Sequence, residues 1–220
     1  MNPKEEKGRM KTLSNELDAI FRSSIPESLE LEALRILWMI YKDTPLLIEQ
    51  IFLPPEARDI APFMRRAIFE QSLRSKANRI PGITATSEPT KGRGNSYTRI
   101  VGIDGRVILT SSYLRAKHEF PRKSEFREAY SQSPQLHLYK DNSINPNGPF
   151  YGILAHGPNP KNRNELGFAF IGVPDSEYAE FIHKIDLFKK HISLIEEFRN
   201  GVEISSPVPR IHILPYEKAE

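Results

Sequence analysis

Apolar residues in the first third of the chain fall at helical spacing. Leu13, Leu17, Ile20 and Phe21 keep one stripe. Pro26 precedes a second such segment, from about Glu27 to Tyr41, with Leu31, Leu34, Trp38 and Tyr41 on adjoining positions. Thr44-Pro45 reads as a cap with proline at the first helical position, opening a segment that runs through Phe52 and stops at Pro54-Pro55. A further helix is predicted from about Pro62 to Ala77. It carries Phe63, Ala67, Phe69 and Leu73 on its apolar side and Arg65, Arg66, Arg74, Lys76 and Arg79 as a basic face.

The pattern changes at Ile80. Short β-prone runs follow at about 81–87, 96–103, 106–113, 135–140, 150–156, 166–173 and 208–214, divided by Pro, Gly and Asn. Asp104-Gly105 is the strongest turn signal and predicts a two-residue hairpin with both residues at positive φ. A charged linker spans Leu114 to Tyr130, with a short helix expected from Ser124 as its cap. After Pro174, the apolar positions Tyr178, Phe181, Ile182, Ile185, Phe188, Ile192, Ile195 and Phe198 predict one long helix to about Arg199, stopped by Asn200-Gly201. The expected fold is α+β. An antiparallel sheet of about five to six strands lies between an N-terminal helical segment, 1–79, and a long C-terminal helix. The sheet region, 80–220, is expected to pack with the helical segment as one unit. No strand–helix crossover rhythm points to a doubly wound parallel sheet.

Composition narrows the classes. The chain has 220 residues, 39% hydrophobic and 27% charged, which suits a globular protein rather than a disordered one. Its 31 basic and 28 acidic residues leave +3, a mild excess compatible with an anionic partner. With no cysteine there is no disulfide, thiolate metal site or cysteine nucleophile. No run is long enough to cross a membrane, and the polar start MNPKEEKGRMK is no secretory signal, so a cytoplasmic location is the expectation.

The hairpin IVGIDGRVILTSS resembles that of PAS and Cache sensory domains, which place a leading helix before an antiparallel sheet. The segment EFREAY at Glu125–Tyr130, and then the pair FYGILAHGP and ELGFAFIGV, follow in the order of that family. The resemblance covers roughly residues 80 to 185. It implies a regulatory domain for a small molecule. The apolar faces of the leading helices either finish the core or, as in sensory domains that pair through a leading helix, form a homodimer interface with Trp38 and Tyr41 as anchors. The membrane helices of extracellular Cache receptors and a following output domain have no counterpart here.

Strand alternation supplies the candidate ligand residues. Tyr97 and Arg99 share a face, as do His137 and Tyr139 on the run 135–140. His156 ends an apolar strand before Gly157-Pro158 and is the side chain suited to proton exchange near neutrality, with Glu165 to orient it and Arg163 to hold an anion beside it. Arg115 completes the set: Arg99, Arg115 and Arg163 for an anion, His137 and His156 for polar recognition, Tyr97 and Tyr139 for stacking. The plain alternative is a half-exposed sheet face with ordinary solvent contacts. Basic residues around the first hairpin support a second reading, nucleic-acid binding or a metal-dependent nuclease. Arg79, Lys91, Arg93, Arg106 and Lys117 would track phosphates, although Glu88, Glu119, Glu125 and Glu128 are interleaved. The nuclease signature of an acidic residue followed by Glu-x-Lys is not evident, and P-loop, GxGxxG, GxSxG and HExxH patterns are absent. No catalytic residue, metal site or cofactor is therefore assigned. A scaffold protein is the third reading.

Overall fold

The computed structural model describes residues 3–91, 96–132 and 149–201. Three helices come first: α1 (Pro3–Ser24), α2 (Glu27–Glu49) and α3 (Pro54–Ala77). Pro45 and Pro62, which read as helix starts, lie inside α2 and α3 instead. Thr44, Pro45 and Ile48 are buried, so packing offsets the amide that Pro45 removes from α2.

Six strands follow: β1 (Thr84–Pro89), β2 (Ser96–Val101), β3 (Val107–Tyr113), β4 (Phe150–Pro158), β5 (Leu166–Pro174) and β6 (Phe181–Asp186). They form one sheet in chain order. Every neighbouring pair is antiparallel except β3 and β4, which run parallel with Tyr113 opposite His156. The expected all-antiparallel sheet is therefore corrected at its centre. Two parallel strands need a crossover, and here it runs through Leu114–Pro149 and carries α4 (Glu125–Gln132). The short helix expected from Ser124 is present, but one eight-residue helix between strands does not by itself tell a parallel crossover from an antiparallel connection.

The sheet is covered on both faces. Leu109, Leu154, Ala169 and Ile171 meet Phe21, Leu34, Leu37 and Phe69 of the helices in the larger core. Ile108, Tyr151, Ile153, Phe168 and Phe170 face the other way, against Phe120, Tyr130 and Tyr178. Double coverage explains why all nine residues of β4 are buried and why its sequence does not alternate. Tyr41 lies within the helix–sheet core and Trp38 packs against Phe198 at 5.0 Å, so Tyr41 is unavailable as an anchor for a second copy.

The long C-terminal helix is not formed. Its span contains β6, then two short helices, α5 (Leu187–Lys190) and α6 (Ile192–Arg199). Asp175 accepts from the Ala179 and Glu180 amides and turns the chain back, with Tyr178 at φ 53°, so Phe181–Asp186 lies along β5. Asp186 then accepts from the Phe188 and Lys189 amides, which starts a helix there and no earlier. The apolar spacing of this stretch fits a helical stripe, but the free edge of β5 recruits it as a strand.

The β2–β3 hairpin forms, with a longer connection than two residues. Val101 pairs with Ile108 at its end, and only Gly105 of the loop has positive φ, at 71°. Asp104 accepts from the Arg106 amide and from the Ser24 hydroxyl at 2.6 Å, pinning the loop to the end of α1. A Cβ at Gly102 would stand 2.7 Å from the Ser24 carbonyl oxygen. At Gly105 the space is open, so Gly105→Ala is expected to cost only the left-handed backbone penalty, about 1–2 kcal/mol in a urea unfolding curve. An unchanged midpoint would mean that the loop can take another turn.

Candidate functional site

Buried polar residues gather where α2 and α3 meet the parallel strands. His156 on β4 points to the helical side, 3% exposed, with Tyr41 from α2 and Phe69 from α3 around it. The Tyr41 hydroxyl and His156 Nδ1 share a hydrogen bond of 3.2 Å. The Phe69 ring stands edge-on at 5.0 Å, and Tyr113, the cross-strand neighbour, at 6.1 Å. Burial, helped by the Arg65 charge, depresses the His156 pKa to about 3. The ring is therefore neutral near pH 7, which corrects the expectation that it exchanges a proton there. Burial likewise raises the Tyr41 phenol well above its ordinary value, so it stays protonated.

Arg65 on α3 stacks its guanidinium over Tyr41, 5.0 Å from the ring centre. The residue is 6% exposed. Its Nη2 donates to Asn164 Oδ1 at 3.0 Å, while Nε is buried without a hydrogen-bond partner. Burial lowers the Arg65 pKa, and among the described residues no carboxylate stands against its charge. Glu70, one helical turn on, is served differently. It accepts from Arg66 Nε at 3.1 Å, from the Ser111 hydroxyl at 3.2 Å and from Thr98 at 3.4 Å, and Arg74 donates to Thr98 at 2.8 Å. That network ties α3 to β2 and β3. Arg65 is left as a buried cation beside two tyrosines, a phenylalanine and a neutral imidazole.

Asn164 belongs to the β4–β5 loop, whose residues 160–165 are exposed and form the rim over Arg65. Arg163 sits on this rim, exposed. Glu165 accepts from Asn159 and Asn162, so it orders the loop rather than the His156 ring. Tyr97 and Arg99 share a face as expected, but it is the opposite one. Tyr97 stacks on Phe126 at 3.7 Å and meets the Tyr130 hydroxyl at 3.2 Å. Arg115 is exposed beyond β3, where its amide donates to Glu119. His137 and Tyr139 lie outside the described residues, as does Arg93. Of the other basic positions, Arg79 is exposed, Lys91 pairs with Glu125, Lys117 with Asp186 at 2.6 Å, and Arg106 with Asp104 at 4.0 Å.

Sequence reasoning thus reached His156 and Arg163 at this locality but gave its other members different roles: Arg65 on a basic face, Tyr41 as a dimer anchor and Tyr113 as a stacking partner for nucleic-acid bases. Arg65 read as one cation of a solvated face. Its offset of four from Phe69 puts it on the apolar stripe, and that was the available signal. Among the described residues, no group of three His, Asp or Glu side chains is placed to hold a metal ion, and no helix is long and apolar enough to cross a membrane. In comparisons with known proteins, no family model, curated protein or solved structure matches this chain.

Proposed function

We propose that the chain is a ligand-binding regulatory domain that takes a small anionic molecule at Arg65, under the rim of the β4–β5 loop. The observation that carries this reading is a guanidinium 6% exposed, with one donor unpartnered and no counter-charge among the described residues. Burying such a charge costs several kcal/mol unless a partner compensates it. An anion supplies the partner. The aromatic walls and the uncharged His156–Tyr41 pair provide a dry surround that strengthens the attraction. The order of leading helices, hairpin, short helix and two long strands agrees with a PAS-like sensory role.

Thermal unfolding in acetate, benzoate and inorganic phosphate, for the wild type and Arg65→Met, tests the proposal. At least one anion is expected to raise the wild-type midpoint, and Arg65→Met should abolish that response. The ligand-free variant should itself be more stable, by about 1–3 kcal/mol, because the lone buried charge is gone. An anion response that survives in Arg65→Met would overturn the reading, as would a wild type indifferent to all three.

A further inference from the structure

A second polar cluster joins α1 to β6, the last strand of the sheet. Ser14 and Asp18 stand four residues apart on α1, so they share one side of the helix. His183 of β6 pairs with Val173, a member of the larger core, and its side chain faces the helices. The ring reaches both α1 residues. The Ser14 hydroxyl lies 3.1 Å from Nδ1, and Asp18 Oδ1 lies 3.0 Å from Nε2. The imidazole is 8% exposed and held at both nitrogens, so its orientation is fixed. Asp18 is 35% exposed and Ser14 is partly exposed, which leaves the hydroxyl open to a molecule arriving from solvent.

These contacts fix where the protons lie. A carboxylate has no proton to give, so the neutral ring carries its hydrogen on Nε2 and donates it to Asp18. Nδ1 then holds the lone pair, and the Ser14 hydroxyl donates to it. Ser23, on the same helix, instead gives its proton to the Ile20 carbonyl, the usual bond of a helical serine. Ser14 aims its own at a base. Nucleophile, general base and orienting carboxylate are thus linked in a row, with Nδ1 rather than Nε2 facing the serine.

We infer that Ser14 is a reactive nucleophile that accepts acyl groups from small activated esters, with His183 as its general base and Asp18 as the residue that positions the base. Ser14 Oγ bonds to the ester carbonyl carbon while its proton passes to His183 Nδ1. The bond to the leaving oxygen breaks, and that oxygen takes the proton from Nδ1. Water then attacks the acyl-serine with the same base, which releases the acid and restores the hydroxyl. Esters with a weakly basic leaving oxygen are the class, since these three residues supply a nucleophile and a base but no donor for the carbonyl oxygen. None of the three belongs to the Arg65 site, so the inference stands apart from the proposed function.

Hydrolysis of p-nitrophenyl acetate, with acid-quenched peptide mass spectrometry during the first turnover, tests the site. Ser14→Ala and His183→Gln should each release nitrophenolate about a hundredfold more slowly than the wild type, the scale on which a positioned base assists. The quenched wild type should carry acetyl on Ser14. Asp18→Asn should be slow as well, and Asp18→Glu should recover part of the rate. That recovery, at matching urea midpoints, separates orientation of the base from a structural contact between α1 and β6. Ser14→Ala decides alone where His183→Gln does not fold. Equal rates in the wild type and Ser14→Ala would overturn the inference, as would acetyl confined to lysines.

Discussion

Lowering the pH from 7 to 5 is expected to destabilise the wild type by about 2 kcal/mol more than His156→Gln, because of one buried imidazole. The folded-state pKa of His156 is depressed to about 3, by burial first and by the Arg65 charge second. In the unfolded chain the ring titrates near its ordinary value of about 6.5. Between those values the unfolded state binds a proton that the folded state refuses, so stability rises with pH across the window. The contribution is fully present above about 6.5 and is lost as pH falls toward 3. At pH 5 about one and a half units of that window have been crossed, which converts to the figure above. Urea unfolding at both pH values, in both proteins, measures it. His183 and His191 are common to the two, so the difference isolates His156. Asp104 and Asp186 do not interfere. Burial raises each carboxyl and is the largest single influence, but it is outweighed by the Ser24 hydroxyl, the Arg106 amide and the Arg106 charge together at Asp104, and by Lys117 with the Lys189 and Phe188 amides at Asp186, so both titrate below the ordinary carboxylate range. Equal losses in the two proteins would mean that His156 is open to water.

The second large effect is expected at Glu30, 4% exposed on α2. Its carboxylate accepts from His191 Nε2 at 2.7 Å and from Lys190 Nζ at 2.8 Å, tying α2 to the junction of α5 and α6. It also lines an apolar void of about 10 Å³ between α2 and the sheet, with Leu73, Ile100 and Leu154. Glu30→Ala removes the acceptor of two groups and enlarges the void. Removing one partner of a buried pair costs about 3–5 kcal/mol, since the other partners lose their compensation. A shift of that size in the urea midpoint, with the slope unchanged, is the expected outcome. Glu30→Gln keeps the volume and one acceptor oxygen and should lose less. A loss below about 1 kcal/mol for the alanine variant would show that Lys190 and His191 find water instead.

Local pattern carried the sequence reading furthest where an element has a helical stripe, a bounded apolar run or a turn residue of its own. The leading helices were legible from their period and the Asp104-Gly105 region from its turn residues, while the strands at 107–113, 150–158 and 166–174, buried on both faces, were legible as short apolar runs bounded by Gly, Pro and Asn. The sequence by itself also determined that no disulfide or thiolate chemistry is available, because it holds no cysteine.

Only the tertiary structure decided the rest, and the reason is the same in each case: a partner distant along the chain. Phe181–Asp186 has helical spacing, but β5 had an edge to fill. The short helix at Glu125–Gln132 was legible from Ser124, but nothing local says that the chain around it carries β4 back parallel to β3. Pro45 is tolerated inside α2 because its surroundings are buried against the rest of the core. Arg65 looked like one cation among several until α2, Asn164 and the sheet closed around it. Burial, not residue type, then made it the candidate site and made His156 a neutral wall rather than a proton carrier.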